Sequence, residues 1–176
     1  MPRRHPLPQR WLMTDERLGE ALLPIVAKLP RGSGVVFRHY ATPEGERRRK
    51  FARVRRIARA RRLVLLIAGP HLPGGDGVHG RKALHGKGLV TRPVHSIRER
   101  IAAERAGTDA IFVSPVFATA SHPGARSLGR VRFQQLIRGA RVPVLALGGM
   151  TAARARTLKG IAGWAAIDAW ASESRA

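Results

Sequence analysis

Apolar runs of strand length alternate along this chain with segments whose apolar residues recur at helical spacing. Residues 11–14 read as a first strand. Asp15 can cap the next segment, in which Leu18, Ala21, Leu22, Ile25 and Leu29 share a helical face. Pro30, Gly32 and Gly34 end it. Residues 35–38 form a second strand, and Thr42-Pro43-Glu44 opens a helix to about Arg62, with Pro43 suited to its first turn. Residues 63–68 are apolar without alternation, the pattern of a strand buried on both faces of a parallel sheet. Weaker strands are expected at 77–79 and 88–91. Ser96, with Glu99 three residues on, predicts a capped helix over 97–106. Strands at 110–113, 142–147 and 164–167 follow. Between them lie a helix marked by Phe133, Leu136 and Ile137 and another capped by Thr151 and running through Lys159.

Strand–helix alternation implies an α/β protein with a parallel sheet. Eight strand candidates imply closure into a (βα)8 TIM-type barrel. The chain has 176 residues, well short of the roughly 250 typical of such barrels. Connections 69–76, rich in Gly and Pro, and 80–87, rich in Gly and Lys, carry no amphipathic pattern. The third and fourth helices are therefore expected to be shortened or lost. An open doubly wound sheet with fewer strands is the runner-up. Residues 1–10 read as an N-terminal extension and 11–176 as a single barrel domain.

Composition narrows the chemistry. The chain has no cysteine, which excludes disulfides, thiolate metal sites and thiol nucleophiles. No apolar run approaches the roughly 20 residues that cross a bilayer, and the basic N-terminus lacks the apolar core of a secretory signal. A cytoplasmic protein without a membrane partner is expected. The net charge is +22, from 33 basic and 11 acidic residues, and almost all the basic ones are Arg. That excess fits either an Arg- and Ala-rich coding bias or a polyanion-binding surface. For the arginines of 47–62 a solvated outer face is favoured over a nucleic-acid-binding helix. Aromatics make up 5% of the chain, a poor supply for stacking single strands.

In parallel barrels ligands bind at the C-terminal ends of the strands. Gly148-Gly149, followed by the Thr151-capped helix, can form a phosphate cradle, because glycine lets backbone N–H groups approach an anion. The long loop after the sixth strand adds Thr119, Ser121, His122 and Arg126, all able to bind anions. Arg38 ends an apolar strand, where a charge needs a partner. His79 and His95 are candidate acid–base groups, with a hydrogen-bonded structural role as the alternative for each. No spacing here is specific for zinc, and no nucleotide-binding glycine motif follows a strand.

Val113-Ser114-Pro115-Val116-Phe117, continuing through Thr119, Ser121 and His122, precedes Pro143-Val144-Leu145-Ala146-Leu147-Gly148-Gly149-Met150 at a spacing that resembles the thiamine-phosphate synthase/TenI family. Gly77-Val78-His79, Val94-His95-Ser96 and Leu12-Met13-Thr14-Asp15 are weaker matches in the family order. The resemblance implies a (βα)8 barrel of thiamine biosynthesis or salvage. It implies one of two activities. One is a transferase joining a pyrimidine methyl pyrophosphate to a thiazole phosphate with Mg²⁺. The other is a TenI-like thiazole tautomerase, which moves a proton. The family's Gln-x-Arg-x-Lys reads Val36, Arg38 and Tyr40 here, and its Asn-Asp reads Ala68-Gly69. Gly80-Arg81-Lys82 stands where a further Asp is usual, and Thr-x-Thr-Lys becomes Thr119-x-Ser121-His122. Asp168 replaces a common Ser. The metal carboxylates are gone, which argues against ordinary synthase activity. His95 matches a TenI-branch histidine. That branch's second histidine falls on Pro115, with His122 close by in sequence.

The expectation is thus a divergent family member, leaning towards an enzyme, that binds a thiazole phosphate or similar phosphate ester. Arg38, Thr119, Ser121, His122, Gly148 and Gly149 would hold it, and His95 or His122 would move the proton. No metal residue is named, and Mg²⁺ enters only if synthase activity is retained. The partner is a small phosphorylated molecule; a homo-oligomer stays open. The alternative is a non-catalytic polyanion (nucleic acid) binder using the Arg-rich helix.

Overall fold

The computed structural model describes residues 7–80, 88–119, 124 and 126–173. Eight parallel strands close into a barrel in sequence order. They are β1 (Arg10–Met13), β2 (Gly34–Phe37), β3 (Val64–Ala68), β4 (Gly77–His79), β5 (Leu89–Val94), β6 (Ala110–Val113), β7 (Val144–Leu147) and β8 (Gly163–Ala166). Closure is made where β8 pairs with β1, Arg10 opposite Trp164 and Leu12 opposite Ala166. The open-sheet alternative is thereby set aside. β1 starts one residue earlier than the apolar run suggests, and the Gln9 carbonyl accepts from Trp164 N at 2.8 Å.

The helices are α1 (Leu22–Lys28), α2 (Glu44–Arg61), α3 (Ile97–Arg105), α4 (Gly129–Ile137), α5 (Ala152–Arg156) and α6 (Asp168–Glu173). The segment after β1 is not one helix as its spacing suggests. A 3-10 turn over Glu16–Ala21 contains Gly19 at φ 48° and only then passes into α1. Helix α5 stops at Arg156 rather than Lys159. Ser96 caps α3 by accepting from Glu99 N at 3.2 Å, while the Glu99 carboxylate accepts from His95 N at 2.6 Å.

No helix follows β3, as expected; the fourth connection lies mostly outside the described residues. What replaces the third helix is a strap, 69–76, tied down by arginines of α2. Arg47 is buried, donating from Nη2 to Ala68 O at 2.8 Å and from Nη1 to Pro70 O at 3.0 Å. Arg55 donates to Pro73 O at 3.0 Å. A helix would have satisfied such carbonyls internally; here side chains do it. The reading of the α2 arginines as a solvated face is corrected for Arg47, because an exposed position cannot supply those donors. Arg48, Arg49, Arg53, Arg56 and Arg59 do face solvent.

Large side chains fill the barrel interior. The Trp11 ring meets Phe112 edge-on at 5.4 Å, and Phe112 meets His79 edge-on at 5.0 Å. This stack plugs the barrel and leaves its upper end, at the strand C-termini, as the open one. Outside, Trp170 of α6 stacks on Trp164 at 5.1 Å and donates to Trp11 O at 2.9 Å, sealing the β8–β1 seam.

Candidate functional site

A pocket of about 450 Å³ opens at the C-terminal ends of the strands. It gathers Arg38 and Tyr40 from the β2 loop, His79 from β4, His95 after β5, Ser114, Pro115 and Thr119 after β6, Gly148-Gly149 after β7 and Asp168 after β8. A larger hollow of about 720 Å³ lies at the opposite face, between α4 and the starts of β7 and β8. It holds no acid–base group, and that face of a barrel usually serves stability.

The glycine pair is held in left-handed conformations, Gly148 at φ 94° and Gly149 at φ 59°. A Cβ on Gly148 would come within 2.8 Å of Pro115 Cα, and one on Gly149 within 2.3 Å of Ala118 O. Both contacts are with the loop after β6, so glycine is what lets the two loops share the pocket. Val116 N donates to Leu147 O at 2.9 Å and Phe117 N to Gly148 O at 3.1 Å, locking the two together. Thr151 caps α5 by accepting from Arg154 N at 3.2 Å. Arg154 donates back to Gly149 O and lies over the Phe117 ring at 5.0 Å.

His95 follows β5, at the exposed lip. Its Nδ1 is 2.8 Å from Ser114 O. A carbonyl only accepts, so Nδ1 carries the proton and the neutral ring keeps its lone pair on Nε2. His95 is therefore poised as a base at Nε2.

His79 is a different kind of histidine. It is buried, and burial, with the nearby Arg38 charge, pushes its pKa down to about 3. Its Nδ1 pairs with Thr91 Oγ1 at 3.0 Å. The ring is neutral at ordinary pH, which makes it a hydrogen-bonding and packing group rather than a proton shuttle. His39, unnoticed in the sequence, is likewise buried. It stacks on Phe37 at 4.7 Å and pairs through Nδ1 with Thr14 Oγ1 at 3.0 Å. Burial lowers its pKa also, against the opposing pull of Glu16.

Arg38 is not free. It donates from Nε to Thr14 O at 2.8 Å and from Nη2 to Asp15 Oδ2 at 3.0 Å. Asp15 in turn accepts from Arg17 Nε at 3.0 Å, and Arg17 reaches to 3.8 Å from Asp168. Partial burial raises the Asp15 pKa, but hydrogen bonds from Arg17 and the charges of Arg17 and Arg38 outweigh it, so the net shift is downward. The carboxylate at the β8 end thus has a guanidinium nearby on its outer side.

Of the residues expected from the sequence, Arg38, Thr119, Gly148, Gly149 and His95 line one pocket. Ser121 and His122 lie outside the described residues. Tyr40, Met13 and Ile167 also line it and were not anticipated as site residues; Tyr40 alone carried a signal, as an aromatic three residues past the end of β2. Among the described residues no three His, Asp or Glu side chains cluster as a metal would require. Segments 81–87 and 120–123 contain no Asp or Glu at all. The donor set does not fit Mg²⁺, which wants carboxylate oxygens.

The thiamine monophosphate synthase family model matches residues 12–170. A candidate thiamine-phosphate synthase 2 of Aquifex aeolicus is 29% identical over 161 residues, covering 82% of this chain and 87% of that protein. The thiamine-phosphate synthase of Geobacillus kaustophilus is 35% identical over 116 residues, covering 62% of this chain and 52% of the relative. Among solved structures, a thiamine phosphate pyrophosphorylase from Pyrococcus furiosus superposes with a TM-score of 0.77 at 22% identity, covering 92% of this chain and 86% of that one. An aldolase/citrate lyase family protein from Burkholderia cenocepacia shares the barrel at a TM-score of 0.62 and 18% identity. With a family match running from β1 to α6 over a closed eight-stranded barrel, the chain belongs to the thiamine monophosphate synthase family.

Proposed function

We propose that this chain binds a thiazole phosphate, or a closely similar phosphate ester, and moves a proton on it. The observation that carries the reading is the sharing of one pocket by Gly148-Gly149, Thr119 and His95. The phosphate would sit against the glycine turn and the Thr119 hydroxyl, with Arg38 as the cation at the far side. His95, with its proton on Nδ1, would take a proton at Nε2 and return it. Ser121 and His122 of the same loop belong to the proposal as further anion contacts, and His122 as a second acid–base group.

The metal-assisted coupling implied for the family's synthases is not part of this reading. Its leaving pyrophosphate needs divalent metal held by carboxylates, and arginine, a permanent cation, cannot substitute for them. The chain's residues are proposed to act through positioning and proton transfer alone. No described helix is long and apolar enough to cross a membrane.

The direct test is calorimetric titration with thiazole phosphate, followed by NMR detection of solvent deuterium entering the bound heterocycle. Binding with His95-dependent exchange is expected. No binding at millimolar ligand would sink the reading.

A further inference from the structure

The pocket has two unlike sides. The β7–β8 side offers the glycine turn. On the β2–β4 side, the described cations are partly engaged in holding the protein itself. Arg38 spends Nε and Nη2 on Thr14 O and Asp15. Arg47 spends both Nη groups on Ala68 O and Pro70 O. His79 is buried and hydrogen-bonded to Thr91. A second anionic group entering here would meet the Asp15 carboxylate beside Arg38, two of whose three guanidinium nitrogens are already engaged.

Standing over this side is Tyr40, which lines the pocket and is 60% exposed. Its ring lies directly against Gly69. A Cβ at that position would come within 3.0 Å of Tyr40 Cδ1 and 3.1 Å of Cε1. Gly69 has φ 82°, so the strap turns sharply there and leaves its Cα surface as a shelf for the ring. The Arg47 guanidinium is beside the same shelf, its Nη2 within 3.8 Å of that Cβ position. The aromatic is therefore backed on one side and open to the pocket on the other, which is how an aromatic receives a ligand ring.

We propose that Tyr40 is a specificity-determining residue that stacks a flat, uncharged aromatic heterocycle on the β2–β4 side of the pocket, in place of a second anion. The inference rests on the pocket being the ligand site and adds what its second side selects. Ring stacking supplies the affinity, and Arg38, paired with Asp15 through Nη2, can lie beside an uncharged ring while its Nη1 meets the ligand's single phosphate.

The test titrates the full chain and its Tyr40→Ala and Tyr40→Phe variants with four probes: hydroxyethylthiazole, thiazole phosphate, inorganic phosphate and inorganic pyrophosphate. Tyr40→Ala should weaken hydroxyethylthiazole about tenfold, the scale of one lost stacking partner. Tyr40→Phe should stay within about twofold, since the ring is kept. Inorganic phosphate should bind all three proteins equally. Because Tyr40 is exposed, thermal melting should show both variants folded. Unchanged hydroxyethylthiazole affinity in Tyr40→Ala overturns the proposal, as does pyrophosphate binding to the wild-type chain more tightly than phosphate. If the heterocycle binds through Tyr40 while thiazole phosphate binds no better than the alcohol, the phosphate reading fails and the Tyr40 assignment stands.

Discussion

The His95 imidazole donates from Nδ1 to the Ser114 carbonyl at 2.8 Å, across two strand ends that are 19 residues apart in sequence. One hydrogen bond selects the tautomer, and the tautomer puts the basic lone pair on Nε2. The same histidine is held from behind, where its backbone N–H meets the Glu99 carboxylate at 2.6 Å. A base is thus presented at the pocket lip with little freedom to turn, a requirement for proton transfer at a fixed atom.

Replacing His95 by Gln should leave thiazole phosphate affinity within about threefold and abolish deuterium exchange into the ligand, because the amide can hydrogen-bond but cannot accept a proton. The readout is the pairing of calorimetry with NMR on one variant. Residual exchange near the wild-type rate would remove His95 from the chemistry.

Gly149→Ala should be costly twice over. A non-glycine residue in the left-handed region costs about 1–2 kcal/mol, and the added Cβ would lie 2.3 Å from Ala118 O, a backbone atom that cannot swing aside. A fall in melting temperature together with at least tenfold weaker phosphate-ester binding is expected. A control at Gly139, where a Cβ meets nothing within 4 Å although φ is 74°, should show the conformational cost alone.

Asp15→Asn should release Arg38 from its 3.0 Å ion pair. The pair is partly buried, so a loss of stability of about 1 kcal/mol is expected. Inorganic phosphate and pyrophosphate should both bind more tightly to the variant, because the pocket gains an uncompensated guanidinium. Unchanged anion affinity would mean that Asp15 does not control Arg38.

The stability curve should slope in acid because His79 is buried neutral. Its folded pKa is about 3, against 6.5 unfolded. Above pH 6.5 both states carry the neutral ring and its contribution is fully present. Below it the unfolded chain takes up a proton that the native state refuses, so stability falls by about 1.4 kcal/mol per pH unit until the folded pKa is reached. Burial lowers the His39 pKa in the same direction. Urea unfolding between pH 7 and pH 4 should show the loss, and His79→Gln should flatten the curve. An equal slope in that variant would show that other groups set it.

The chain's own pattern carried the fold a long way. Unalternated apolar runs such as residues 63–68, separated by capped helical stretches, admit little besides a parallel sheet covered by helices, because each run must bury two faces. The Gly- and Pro-rich segment 69–76 announced that no helix would form there. The glycine turn at 148–149 and the residues after each strand were legible as a site because barrels place their ligands at that end. Residue type alone could not separate His79 from His95. Both stand at strand C-termini, yet one is walled in by Phe112 and Thr91 and the other meets a carbonyl at the lip. Nor could the sequence tell that Arg47 would turn inward to cap a strap, that Asp15 would claim Arg38, or that Gly69 would shelve Tyr40. Protonation, charge balance and ring presentation depend on what lies within about 4 Å. In a closed barrel those neighbours come from different strand ends, which only closure brings together.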